Sequence, residues 1–268
     1  MKAERKDWSV ILDQAARIMN SYDTGVTLRQ LFYRLVAAGI LPNTKSYYTT
    51  LSDRTAAARR LGTFPSFIDR TRSIHRPRTF ESPNDARQWL SRIYRRDRTE
   101  GQSIRLYLGV EKNGLVEQLS SWFWDTGIPI IALGGYSSQT YVDEITEDIE
   151  SDGRPAVLIY AGDLDPSGED IERDFVERCG AFVESQRIAL TVEQVEQYDL
   201  PPAMGKATDT RAAGFVRKYG SLIQVELDAL EPPTLRALYQ AAIDDYFDKS
   251  AFDEATERER TERDSLVD

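Results

Sequence analysis

The chain has 268 residues and a formal net charge of −10, and 41% of its residues are hydrophobic, including 4 Trp, 13 Tyr and 10 Phe. This content is enough to build folded cores and argues against global disorder. The single cysteine, Cys179, excludes internal disulfides and cysteine-based zinc clusters, and no apolar run reaches the length of a membrane span. The chain also begins without a secretory signal pattern, which predicts a soluble, cytoplasmic protein.

The charge is divided unequally along the chain. Residues 1–100 carry 19 Lys and Arg against 10 Asp and Glu, whereas residues 101–268 carry the remaining 15 and 34. This asymmetry indicates a first part that faces nucleic acid and a second part with a different task, and it predicts association with the nucleoid. The alternative for the acidic half is an ordinary solvated surface, such as one suited to a cell with high internal salt.

Three helices are predicted at the start of the chain, because apolar residues recur at helical spacing within 7–20, 26–41 and 44–62. The apolar stripe of the second helix comprises Leu28, Leu31, Phe32, Leu35 and Val36. Gly39 is placed to end this helix, Thr44 to cap the third and Gly62 to stop it. The tight connection between the last two helices predicts a helix-turn-helix, with a wing or extended arm in residues 63–80.

Basic side chains accompany the third helix and the arm. Those of the helix are Lys45, Arg54, Arg59 and Arg60, and those of the arm are Arg70, Arg72, Arg76 and Arg78. A helix with such charges suits the backbone of a DNA duplex, although arginines serve phosphates as readily as bases and specify no sequence. The alternative is a small helical domain with a solvated basic face.

From residue 102 the pattern changes to strands alternating with helices. Apolar runs at 102–111, 128–135 and 156–165 are each followed by an amphipathic helical segment. This alternation predicts an α/β fold with a parallel, doubly wound sheet, and no Gly-x-Gly-x-x-Gly follows the first strand, which excludes a dinucleotide fingerprint. Further strands are expected at 187–190 and 221–230, joined by a loop.

Acidic residues stand at the ends of two of these predicted strands. Glu111 ends the first strand, and Asp163 and Asp165 end the third. If the two strands are neighbours, the three carboxylates converge, and their repulsion is relieved by a cation among them. Oxygen ligands without histidine or cysteine suit Mg²⁺. The alternative is that these residues are ordinary turn and helix-cap residues.

The order of these motifs resembles a known domain. Glu111, then Gly134-Gly135-Tyr136, then the segment from Asp163 to Gly168 (DLDPSG) is similar to the Toprim domain of topoisomerases and primases. The chain most resembles the A subunit of topoisomerase VI and its meiotic double-strand-break relatives, which place a winged-helix domain before the Toprim domain. The resemblance covers most of residues 25–230. It implies Mg²⁺ binding by Glu111, Asp163 and Asp165.

The resemblance also implies a nucleophile. Arg29 to Tyr33 (RQLFY) stands where the family carries an Arg-x-x-Tyr-Tyr-like stretch, with Phe32 in place of the first tyrosine, and this implies that Tyr33 attacks DNA. Helical geometry places Tyr33 about 40° around the axis from Arg29 and one turn away, so Arg29 could contact the attacked phosphate. The alternative is that Tyr33 covers the edge of the core with a solvated hydroxyl.

These observations predict three regions: a winged-helix DNA-binding domain with its arm (1–98), a Toprim metal-binding domain (99–232), and a C-terminal helix with a polar tail (233–268). The expected activity is Mg²⁺-dependent DNA cleavage by transesterification, with Tyr33, Arg29 and Glu111 as catalytic residues. The resemblance implies a homodimer, and the absence of an ATPase motif implies a separate ATPase subunit. Two alternatives remain: a metal-dependent nuclease or nickase that uses water, and a DNA-binding module with an inactive core.

Overall fold

The fold is α/β, with eleven α-helices and one four-stranded parallel sheet in a computed structural model that describes residues 7–22, 26–67, 77–202 and 211–266. The strands are β1 (Arg105–Val110), β2 (Ile130–Ala132), β3 (Ala156–Ala161) and β4 (Phe182–Ala189). The helices are α1 (Trp8–Asn20), α2 (Leu28–Ala37), α3 (Lys45–Arg60), α4 (Pro83–Ile93), α5 (Val116–Phe123), α6 (Gln139–Asp152), α7 (Pro166–Cys179), α8 (Val192–Gln197), α9 (Ala212–Tyr219), α10 (Pro232–Asp244) and α11 (Lys249–Ser265). None of these helices is long and apolar enough to cross a membrane.

Helices α1 to α3 form a small unit with its own core, and the second and third helices end and begin at the predicted residues. The core contains Leu31 and Phe32 of α2 together with residues of α1 and α3. Thr44 caps α3 by accepting a hydrogen bond from the Tyr47 N–H, and a residue with φ of +67°, Gly39, follows α2. The described part of the predicted wing, residues 63–67 and 77–80, contains no strand. Arg70, Arg72 and Arg76 lie outside the described residues.

The parallel sheet has the order β2-β1-β3-β4 and separates two apolar layers. Helices α5 and α10 cover one face, while α6 and α7 cover the other. The two central strands, β1 and β3, are consequently buried along nearly their whole length, as their apolar runs predict. Val110 pairs with Ala132 on one side and with Ala161 on the other, so β1, β2 and β3 end level with one another.

The C-terminal region is more ordered than the sequence predicts. Helix α10 belongs to the core of the sheet, and the hydroxyl of its Tyr239 donates a 2.6 Å hydrogen bond to the carbonyl of Gly109. The expected polar tail is helix α11. Its Glu259 is only 1% exposed and accepts from the guanidinium of Arg98 at 2.7 Å and from the backbone N–H of Arg96 at 3.1 Å. These contacts tie α11 to the segment after α4 and stabilise a helix whose surface is otherwise polar.

Candidate active site at the sheet edge

The carboxyl ends of β1 and β3 lie at the point in the sheet where the order of the strands reverses. The chain leaves β1 through α5 toward β2 on one side, and it leaves β3 through α7 toward β4 on the other. Such a switch point opens a crevice between the two neighbouring strands. Glu111 directly follows β1 and Asp163 follows β3 by two residues, and Glu111 Oε2 accepts a 2.8 Å hydrogen bond from the Asp163 N–H. The structure thus brings these two carboxyl-bearing residues into contact.

Asp165, the third predicted ligand, has a local structural role. It is the N-cap of α7, and its Oδ1 accepts a 2.6 Å hydrogen bond from the Gly168 N–H. A Cβ at Gly168 would overlap the carbonyl oxygen of Asp163 and lie 3.1 Å from Glu111 Oε2. The glycine therefore lets helix α7 begin directly against the backbone carbonyl of Asp163 and the carboxyl group of Glu111. Asp165 lies close enough for its charge to act on Glu111.

Two further carboxylates reach this site from a distant segment. Val225 pairs antiparallel with Leu164 through hydrogen bonds of 2.9 and 3.0 Å, and the Leu227 N–H donates to Asp163 Oδ1 at 2.8 Å. This docking places Glu226 and Asp228 beside Asp163. The sequence predicts a strand at 221–230, whereas the structure has a single bridge followed by a 3₁₀ turn over Leu227–Ala229. The acid-Leu-acid pattern at 226–228 is the only signal in the sequence that could have drawn attention to this pair.

The side chain of Lys112 lies among the acidic groups. Its Nζ is 3.0 Å from Asp163 Oδ1, 3.0 Å from Glu226 Oε2 and 2.8 Å from Asp228 Oδ2. Burial alone would lower the pKa of Lys112, but the surrounding carboxylates raise it above its usual value. Lys112 is therefore a fixed positive charge within the site, and sequence reasoning did not identify it.

Residues of α2 complete the site from the N-terminal unit. The Arg29 guanidinium donates to the Glu226 carboxylate, and Gln30 donates to Gln118 of α5 at 3.0 Å. Tyr33 is 0% exposed and packs in the sheet core rather than in the core of α1 to α3. Its hydroxyl has no hydrogen-bond partner among the described residues, and it is buried, which differs from the solvated hydroxyl expected at the edge of a core. Burial and then the charge of Glu226 raise the pKa of Tyr33, while Arg29 and Lys112 act to lower it.

The donor set suits a hard cation. Burial, followed by the negative charge of Asp163, raises the pKa of Glu111 to about 7, and burial also raises the pKa of Asp163. The raised pKa values mean that the ionised forms of these two adjacent carboxyl groups are destabilised, and a nearby cation would stabilise them. Within the described ranges no three His, Cys, Asp or Glu side chains are arranged to hold one metal ion together. Mg²⁺ does not need three, because it is commonly held by one or two carboxylates with waters and substrate phosphates, so the pair fits Mg²⁺.

We expect the Glu111 carboxyl to make stability depend on pH. Its pKa is raised from 4.5 to about 7, so its contribution is fully present below about 4.5 and is lost as the pH rises through about 7. In EDTA, the free energy of unfolding of the wild type should fall between pH 5 and pH 8 by up to about 3 kcal/mol relative to Glu111→Gln. Mg²⁺ at pH 8 should restore stability to the wild type alone. Urea denaturation measures both effects, and equal pH profiles for the two proteins would contradict this assignment.

The predicted DNA-contacting residues that the structure describes are all exposed, namely Lys45, Arg54, Arg59, Arg60 and Arg78. None of the four on α3 forms an ion pair with another described residue. The first part of α3 also approaches the site, since the ring of Tyr48 lies 5.7 Å from Arg29 Cζ and 5.3 Å from the ring of Phe32. A charged, exposed helix therefore begins beside the carboxylates.

Comparisons with known proteins assign no family to this chain. No protein-family model matches it, and no curated protein matches it. A functional assignment therefore depends on the geometry of the site and on the motif resemblance.

Proposed function

We propose that this chain is a winged-helix and Toprim protein that cleaves DNA in a Mg²⁺-dependent transesterification, in the manner of the topoisomerase VI A subunit. The observation that supports the proposal best is the meeting of three separate parts of the chain at one edge of the sheet. Arg29 and Tyr33 come from α2, Glu111 from the end of β1, and Asp163 from the end of β3. The motif resemblance implies nucleophilic attack by Tyr33 and Mg²⁺ binding by Glu111 and Asp163. Helical geometry adds Arg29 as a contact to the attacked phosphate.

Each residue has a defined task in the proposed reaction. Tyr33 Oη attacks the phosphorus of a DNA backbone phosphate and forms a phosphotyrosyl bond, while the bond from phosphorus to one deoxyribose oxygen breaks. The phenolic proton passes to water, and the departing oxygen takes up a proton to become a free hydroxyl. The pKa of Tyr33 is raised by burial and by Glu226, and the positive charges of Arg29 and Lys112 favour the attacking phenolate because they oppose this increase. Glu111 and Asp163 would hold Mg²⁺, which when bound disperses negative charge on the phosphate and the departing oxygen.

The burial of Tyr33 imposes a condition on this reaction. Its hydroxyl is enclosed where α2 meets the segment 226–231, so DNA reaches it only after groups in that segment move. The contact to be released is the one between the Arg29 guanidinium and the Glu226 carboxylate. A second candidate, hydrolysis by a metal-dependent nuclease or nickase, is favoured by the same burial, because water needs no such movement to approach Glu111 and Asp163.

The partners follow from surface charge and from the resemblance. The exposed cations of α3 would bind the phosphates of a duplex and hold it against the sheet edge. Two copies of the chain would make two cuts, one in each strand, and a strand-passage cycle would require a separate ATPase subunit. A DNA-binding module with an inactive core would bind the duplex through α3 but would not cleave it.

A search for covalent protein–DNA adducts tests the proposal. Supercoiled plasmid is incubated with the purified chain and Mg²⁺, the protein is denatured, and the DNA is examined for attached protein. We expect cleaved DNA with protein joined to its ends. Cleavage without attached protein would support the water-dependent candidate, and binding without cleavage at any Mg²⁺ concentration would overturn both enzymatic candidates.

A further inference from the structure

The carboxylate of Glu226 lies between two cations from distant parts of the chain. Arg29 of α2 donates to it from one side, and Lys112 Nζ lies 3.0 Å from its Oε2 on the other. The Glu226 side chain is 17% exposed and that of Arg29 is 42% exposed, so the pair borders solvent. The lowered pKa of Glu226 results from these two cations, which outweigh the opposing effect of burial. An arginine and a lysine directed at one anion form a common recognition site for phosphate.

We infer that Glu226 occupies the position of a DNA backbone phosphate, and that a phosphodiester displaces its carboxylate from Arg29 and Lys112 when DNA binds. The inference rests on the proposed function in that the ligand is DNA. A phosphodiester carries one negative charge, as the glutamate does, so the exchange leaves the two cations with an anionic partner. The free chain would therefore hold its phosphate site in a self-inhibited form.

The local structure permits Glu226 to leave while its neighbours stay in place. Val225 is fixed by its bridge to Leu164, and Leu227 by its N–H bond to Asp163. Leu227 and Asp228 are buried, whereas the hydrogen bonds that the Glu226 side chain makes to described residues all involve its carboxylate. Rotation of this one side chain would open the site without unfolding the segment.

Displacement of the Glu226 carboxylate would also change the surroundings of Tyr33. The charges of Glu226, Arg29 and Lys112 all act on the Tyr33 hydroxyl, which is buried and makes no hydrogen bond within the part of the chain that the structure describes. Arg29 lies one turn before Tyr33 on α2, so a phosphate bound to Arg29 in place of Glu226 would lie close to that hydroxyl. The inference accounts both for the enclosure of Tyr33 and for its unsatisfied hydroxyl.

Affinity for DNA in the absence of metal tests this assignment. The Kd of a short fluorescent duplex is measured by anisotropy in EDTA at one fixed salt concentration, so that no cleavage occurs. Glu226→Gln removes the charge and keeps the shape, and we expect it to bind about tenfold more tightly than the wild type. Glu231→Gln is the matched control, because it also removes a carboxylate that joins α2 to this segment, at a 53% exposed position. It should change Kd by less than about twofold.

A double-mutant cycle with Arg29→Gln identifies the site. In the Glu226→Gln background, Arg29→Gln should cancel most of the gain in affinity for the duplex. In the wild type, Arg29→Gln should change the Kd little, because Glu226 already neutralises Arg29. Equal effects of Glu226→Gln and Glu231→Gln, or equal costs of Arg29→Gln in both backgrounds, would overturn this inference and leave the proposed function standing. Failure of every variant to bind the duplex would overturn both.

Discussion

Replacing Tyr33 with phenylalanine is expected to abolish covalent attachment to DNA and to lower the rate of strand cleavage by at least about 10³-fold, because no other group takes over from a removed nucleophile. The substitution leaves the ring in the sheet core and removes only a buried hydroxyl to which no described residue offers a hydrogen bond. Loss of such a hydroxyl should leave the stability unchanged or raise it by about 1 kcal/mol. Thermal denaturation and a plasmid cleavage assay separate the two effects.

Tyr48→Phe is the matched control for this experiment. The ring of Tyr48 packs edge-on against Phe32 and lies beneath Arg29, and phenylalanine preserves both contacts. Cleavage and adduct formation should stay near the wild-type level in this variant. If Tyr33→Phe cleaves DNA as fast as the wild type, tyrosine attack is wrong and water is the attacking group.

Replacing Asp163 with asparagine is expected to reduce cleavage by at least about 10²-fold and to remove the stabilisation of the fold by Mg²⁺. Both effects arise because Asp163 is one of the two adjacent carboxylates that suit the ion. Asparagine retains an oxygen that accepts from the Leu227 N–H and keeps the segment in place. The loss should therefore appear in metal binding and cleavage rather than in folding.

Titration calorimetry with Mg²⁺ and the cleavage assay measure these effects. Asp174→Asn provides a control with the same change of charge on the surface of α7, where Asp174 pairs with Arg178 at 3.0 Å. It should bind Mg²⁺ and cleave DNA as the wild type does. Unaltered Mg²⁺ binding by Asp163→Asn would contradict the placement of the ion, and unaltered cleavage would contradict the catalytic role.

Local patterns in the sequence were sufficient to predict the secondary structure that builds the site. These predicted features are the apolar runs of β1 and β3, the glycine that follows α2, the N-cap of α3 and the turn from β3 into α7, and all of them depend on contacts within a few residues. The motif from Asp163 to Gly168 was recognisable because a tight entry into a helix beside a carboxylate requires that glycine. Helix α9 was missed, because its short segment followed a Pro- and Gly-containing stretch that indicated a loop.

The sequence by itself determined the α/β class, the order of its elements and the two acidic strand ends, because these features follow from hydrophobic periodicity and short-range chemistry. Only the tertiary structure decided that Glu226 and Lys112 belong to the site and that Tyr33 is enclosed. Periodicity shows that a helix has an apolar face, but it does not show that α2 is buried on two sides, against its own unit and against the sheet. The contacts of Arg29 with Glu226 and of Arg34 with Glu231 join residues 197 positions apart, and no local pattern encodes them.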